Sequence, residues 1–448
     1  MTGTRSTRVG AGAGFAGDRI DPALRLVEQA GLDHIVFECL GERTVAAGTL
    51  RRLGDPAAGY DPLLAARLTA VLPACRSRGT TLITNSGSAN PVAAGELAGR
   101  TVARTGVGPT RVAVVTGDDV LDAVRRADPV VWETGLPVSA GPEPVSAHAY
   151  LGAEPITEAL DAGAHVVLTG RVADPALYVG ALRYELGWDA QDPHLTGVGT
   201  MVGHLLECAG QLTGGYFADP GTKPVPDMAR LGFPFADVTA DGRVVLGKLA
   251  SDGGLLDRRT CIEQLLYEVG DPTAYLTPDV TADFSGVTFH ETGPDAVRAE
   301  GATGRARPDT LKVTLGYPGG WVGEGQISYA GPRALDRARL AADIVRERLA
   351  TVHGLCDDDV EAEFLGAGAA HRGLADPGDP AEVRLRVAAR VPDRAWAELV
   401  GWEVESLYTN GPAGGGGARH SVTEQVVVRS CALDRDLVHP VTTVEEVR

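Results

Sequence analysis

The chain has 448 residues, 44% hydrophobic and 22% charged, with a formal net charge of −18: a globular composition, too long for a single core and read as two domains. The negative charge excludes a nucleic-acid partner, because phosphate binding needs a basic face and the arginines are interleaved with acids, as from Arg337 to Arg348. No apolar run reaches the roughly 18 residues of a membrane span, and MTGTRSTRVGAG lacks the apolar stretch of a signal peptide, so a cytoplasmic protein without a membrane partner is expected.

Cys39, Cys75, Cys208, Cys261, Cys356 and Cys431 are scattered without CxxC spacing and read as reduced thiols. Among the 41 lysines and arginines only Lys223, Lys248 and Lys312 are lysines, and the asparagines are Asn85, Asn90 and Asn410. Where coding bias removes these residues, the survivors are candidates for positions that need a compact ammonium or a small amide. For Asn410, before Gly411, a left-handed turn residue is the competing reading.

In chain order, Thr7 to Ala11 reads as a strand, and Asp21-Pro22 opens a helix running through Ala30. Between them Gly12, Gly14 and Gly17 fit G-x-G-x-x-G, with Glu38 about twenty residues on, as in a dinucleotide fingerprint. The third glycine of that fingerprint lies inside the helix, whereas here the helix begins beyond Gly17. NAD(P) is therefore kept only as an alternative cofactor. Strand HIVFE delivers Glu38, then Glu42 and Arg43. Two carboxylates and a guanidinium suit base, acid and anion clamp, while Glu42 and Arg43 also suit a helix start. A helix from about Pro62 to Arg78 precedes strand TTLITN, after which Asn85, Ser86 and Asn90 in SGSANP suggest a cradle for a phosphate, carboxylate or developing oxyanion. Strand RVAVV ends in Asp118 and Asp119, either a base or metal ligand beside a cap, or two caps.

Strand 165–168 leads to Arg171, and Asp174-Pro175 is expected to cap the next helix, placing a guanidinium at a strand end beside a helix N-terminus. A helix from about Val202 sets His204, Glu207 and Cys208 on one face. The trio fits a divalent metal site or an acid–base pair, and equally a hydrogen-bonded His and Glu beside a core cysteine. Lys248, just past a strand, is the preferred lysine for electrostatic work or proton transfer. Strand–helix alternation predicts an α/β fold with a mostly parallel doubly wound sheet over residues 1–288, and all strand ends along one edge. From about Phe289 the pattern becomes α+β, giving a smaller domain over 289–448 that closes a cleft. Its Gly-rich loop NGPAGGGGARH, with Asn410 and Gly415, reads as a substrate lid or a hinge.

The segments GAGAGFAGDRIDPAL, CLGERT, TNSGSANP, TGRVADPAL, GHLLECAGQLTGGYFADPG, GFPFADV, LLYEVGDP and the late GPAGGGG, in this order, resemble the acyclic terpene utilisation (AtuA-type) family across nearly the whole chain. The resemblance implies an enzyme of small acids or acyl thioesters, without naming the step. The resulting expectation is general acid–base chemistry on a small anionic substrate, most simply addition or elimination of water, in a homo-oligomer requiring no cofactor. An NAD(P)-dependent oxidoreductase and a non-catalytic subunit of an assembly are the alternatives.

Overall fold

The computed structural model describes residues 5–371, 374, 376 and 378–448. It divides into two compact units, Met1–Tyr317 with Val428–Arg448, and Pro318–Val427. Among the described residues no helix is long and apolar enough to cross a membrane.

In the first unit, β1 (Ser6–Ala13) leads through α1 (Asp21–Gln29) to β2 (His34–Phe37), through α2 (Glu42–Gly54) and α3 (Leu64–Arg78) to β3 (Thr81–Thr84), and through α4 (Pro91–Thr105) to β4 (Thr110–Thr116). After α5 (Leu121–Ala127), β5 (Ser146–Ala149) and α6 (Glu154–Asp161), β6 (Val166–Thr169) inserts between β3 and β4. The order β1-β2-β3-β6-β4 is parallel throughout. Every residue of β2 and β6 is buried, as uninterrupted apolar runs in a covered parallel sheet must be.

The chain continues through α7 (Ala176–Leu186), α8 (Pro193–Leu206), β7 (Pro234–Thr239), β8 (Val244–Lys248), α9 (Arg258–Leu266), β9 (Tyr275–Leu276), β10 (Thr281–Asp283), β11 (Thr288–Gly293), β12 (Ala296–Glu300) and β13 (Thr303–Arg305). β7 pairs antiparallel with β1, and β8, β12 and β11 extend that flank antiparallel. On the other flank Val441–Val447 pairs antiparallel with β4. The sheet is thus ten-stranded and mixed, a correction to the mostly parallel doubly wound sheet expected. Apolar periodicity marks a strand but says nothing of its direction, and tight hairpins return the chain antiparallel. The boundary expected at residue 289 falls within β11, inside this same sheet.

Helix starts follow their caps. Asn90 accepts from Ala93 N ahead of α4, Asp192 from His194 N and Leu195 N ahead of α8, and Asp257 with Thr260 forms a capping box on α9; such caps contribute about 1 kcal/mol each. The Asp192 cap and Pro193 set the start of α8 well before the Val202 expected. Asp174, by contrast, caps nothing: Pro175 occupies the N-cap of α7 without a side-chain bond.

The second unit takes most of β14 (Thr310–Ala330) and β17 (Gly416–Asp434) together with α10 (Ala334–Thr351), β15 (Val360–Leu365), β16 (Glu382–Val391) and α11 (Arg394–Asn410), in the sheet order β15-β16-β14-β17. Helix α10 buries Ala338, Ala341, Val345 and Leu349 and α11 buries Val400, Val404 and Leu407, each at helical spacing, against Ile327, Leu385 and Val387. TLKVTLGY and GQISYAG lie in one element, β14. Gly416 and Gly417, expected in an irregular loop, open β17.

Candidate active site

The carboxyl ends of three parallel strands border a cavity of about 560 Å³. Gly14 follows β1, Glu38 and Glu42 follow β2, and Asp174 follows β6; Glu207, Cys208, Tyr216, Tyr267 and Glu268 complete the wall. Strand carboxyl ends are where open α/β sheets place ligands. A second cavity of about 400 Å³ shares Glu42, Asp174 and Glu268 with the first and adds Trp132, Tyr150, Arg171 and Lys312. A Cβ on Gly14 would lie 2.4 Å from the Cys208 carbonyl carbon, so only glycine lets the end of β1 approach the end of α8 this closely. Ala209, Tyr216 and Glu268 hold left-handed backbone at φ of 43°, 62° and 59°. Each such residue costs about 1–3 kcal/mol, and such strain gathers at functional sites.

Glu38 is buried, and its Oε1 accepts from Leu40 N at 2.7 Å and from Asn85 Nδ2 at 2.9 Å. Asn85 Oδ1 in turn accepts from Cys39 N at 2.7 Å, which fixes the amide. Burial, followed by the nearby Asp174 charge, pushes the Glu38 carboxyl up to about 8, outweighing these hydrogen bonds and Arg171. Glu38 therefore keeps its proton at neutral pH.

Glu42 is the opposite case. Burial would raise it, but a 2.5 Å bond from Tyr150 Oη and the charges of Arg171 and Lys312 win, bringing it to about 2. Lys312 Nζ donates to the same Oε1 at 2.9 Å and lies 4.8 Å from the Tyr150 ring centroid. The Arg171 guanidinium sits 3.9 Å over that ring, pairs with Asp174 at 3.2 Å and donates to the Leu40 carbonyl. At 1% exposure Arg171 is an internal post of the wall rather than a free clamp for a guest. Asp174 itself is pushed up by burial against the pull of Arg171.

His204 and Glu207 do meet, Nδ1 to Oε1 at 2.9 Å, while His204 Nε2 donates to the Leu265 carbonyl at 3.1 Å. Burial raises Glu207 well above the carboxylate range and lowers His204, so the neutral acid donates to the neutral ring. Both ring nitrogens are engaged, and no group of three metal-competent side chains occurs among the described residues. His204, Glu207 and Cys208 are therefore a hydrogen-bonded pair beside a thiol, not a metal-ligand set. Glu207 and Cys208 nonetheless line the cavity, and Glu207 Oε2 is buried without a partner.

The remaining expected site residues are committed elsewhere. Asp118 Oδ2 accepts from His148 Nδ1 at 3.0 Å and from Arg171 N at 2.9 Å, fastening the turn after β6. Asp119 pairs with Arg52 at 3.3 Å in solvent. Lys248 Nζ spends its donors on the Leu249 and Asp252 carbonyls and on Asp295 at 3.1 Å. Arg43 is exposed in the first turn of α2. The SGSANP cradle is closed on itself: Ser86 bonds Thr84, and Asn90 Nδ2 donates to the Pro56 and Ala58 carbonyls. Asn410, on the second unit, donates to the Ser406 carbonyl, and Gly415 backs onto Ile327 and Tyr329 of that unit. The Gly12, Gly14, Gly17 fingerprint also fails, because α1 begins at Asp21 and Glu38 is tied to Asn85 rather than free for a ribose.

Sequence reasoning missed Tyr150 and Glu268 and expected Asp174 to be a cap. The scarcity of lysine did mark Lys312, but Lys248 was preferred to it. A family model described as acyclic terpene utilisation family protein AtuA matches residues 7–444. No curated protein and no solved structure matches.

Proposed function

This chain belongs to the acyclic terpene utilisation family AtuA, and from that premise we propose that it is an acid–base enzyme adding water to, or removing it from, a small carboxylate or acyl-thioester substrate. The observation that carries the reading is the split between two carboxyls on one cavity, Glu38 held protonated up to about 8 and Glu42 held ionised down to about 2. Environments that drive two acids apart in this way assign an acid and a fixed anion.

In the dehydration direction a base removes the proton on the carbon next to the acyl carbonyl, and Glu38 gives its proton to the departing hydroxyl, which leaves as water. Asp174, raised above an ordinary aspartate and lining the same cavity, is the base. The proton it takes returns to Glu38 through water, and hydration is the reverse. Negative charge gathering on the carbonyl oxygen calls for a preplaced donor. Lys312 supplies it: Glu42 takes one of its three N–H groups and fixes its position. Tyr150 and Arg171 keep Glu42 in place.

The test is a panel of small acyl-CoA thioesters and free acids, followed for water addition and for exchange of the α-hydrogen in heavy water. Glu38→Gln lowers kcat by roughly 10²–10⁴-fold and leaves substrate binding intact. Full activity in this variant removes Glu38 from the reaction, and absence of both hydration and exchange across the panel ends the reading.

A further inference from the structure

Outside this site, three arginines from distant segments converge on a separate cavity of about 200 Å³: Arg183 of α7, Arg307 ahead of β14, and Arg435 beyond β17. Among the described residues only one of them, Arg183, has a carboxylate partner. Arg183 pairs with Asp279 at 3.0 Å, and its Nε is buried without a hydrogen bond. Arg435 directs one terminal nitrogen at the Pro278 and Pro308 carbonyls, at 2.6 and 3.0 Å, and its Nε is likewise buried and unpartnered. Arg307 makes no hydrogen bond or ion pair among the described residues.

Two acids line the cavity. Asp279 is already occupied, taking the Ala153 N–H as well as Arg183; Glu154 is exposed and forms no ion pair. In a chain with 59 acids to 41 bases, three arginines against two acids in one lining are a local reversal of the prevailing charge. Burial, then the charge of Arg307, lower the pKa of Arg435 against the opposing charges of Asp279, Asp309 and Glu154. Guanidinium forks with free N–H groups fit the paired oxygens of a phosphate.

We propose that Arg183, Arg307 and Arg435 form an oxyanion site that takes a phosphate group. Pro278 and Pro308, whose carbonyls Arg435 holds, also line the second active-site cavity. The site therefore stands behind one wall of the reaction chamber, where the phosphates of a nucleotide-bearing acyl carrier would rest; this assignment alone depends on the function proposed above.

Isothermal titration calorimetry of the intact protein with inorganic phosphate and with adenosine 3′,5′-bisphosphate tests the site without reference to turnover. Arg307→Ala, which breaks no contact, weakens binding about tenfold or more, as loss of a charged hydrogen-bonding partner should. Tighter binding of the bisphosphate than of phosphate assigns the site to a nucleotide carrier, and the opposite order assigns it to free phosphate. Absence of binding by both, or binding unchanged in Arg307→Ala, overturns the proposal while leaving the Glu38 chemistry standing.

Discussion

Replacing Glu38 with glutamine isolates the consequence of its environment. Glutamine keeps the oxygen that accepts from Leu40 N and Asn85 Nδ2 but cannot ionise. The wild-type carboxyl rises from 4.5 to about 8 on folding, so folding favours its protonated form. The associated stability is fully present below pH about 4.5 and is lost as pH rises through about 8. At 1.36 kcal/mol per pKa unit the rise is worth at most about 5 kcal/mol, part of it due to the Asp174 charge beside it. Urea unfolding of the wild type and of Glu38→Gln, measured from pH 5 to pH 9, should show the wild type losing several kcal/mol relative to the variant over that range. The variant is expected to be the flatter of the two and the more stable at the alkaline end. Parallel pH profiles for the two proteins would refute the claim that this carboxyl is forced to hold its proton.

Asn85→Ala removes a bond that lowers the Glu38 carboxyl, so the alkaline limb of kcat/KM should move to higher pH; an unmoved limb would detach Asn85 from the chemistry. Lys248→Met breaks a buried ammonium from Asp295 and two carbonyls and should cost about 2–4 kcal/mol by chemical denaturation, with kcat unchanged. A large fall in kcat with stability intact would return Lys248 to the reaction. Glu42→Gln should raise KM and weaken stability above pH about 4.5, because Glu42 is held down to about 2 and its contribution is lost only as acid protonates it. A variant with wild-type KM would show that Lys312 needs no anchoring carboxylate.

The parallel centre of the sheet was readable because β2, β3 and β6 are short β-branched runs followed by helices, and the same reading put Glu38 and Glu42 at a strand end. Directions of the flanking strands were not readable, since 234–248 and 288–300 carry ordinary strand patterning whichever way they pair. Nor was the difference between a site loop and a buried polar loop. Asn85, Ser86 and Asn90 have the composition of an anion cradle, yet their hydrogen-bonding capacity is spent inside the protein. Only the partners decide such a case, and those of Asn85 and Asn90 lie tens of residues away.

Tyr150 and Lys312 show the same limit from the other side, being separated from Glu42 by 108 and 270 positions yet bonded to one oxygen of it. That junction bears on how so acidic a cavity could receive the anionic substrate proposed above. Asp18, Glu38, Glu42, Asp174, Glu207 and Glu268 all line the first chamber. Burial raises Asp18, Glu38, Asp174 and Glu207, which draws Glu38 and Glu207 toward their neutral forms, while Asp174 stays paired with Arg171. Glu42, which its partners hold ionised, is matched by Lys312 and Arg171. The lining is thus less negative than its composition suggests, and the charge of Glu42 stands beside the cations of the second chamber. An anionic head accommodated there would meet Lys312 before it met an uncompensated carboxylate, leaving the protonated Glu38 for the reacting carbon chain.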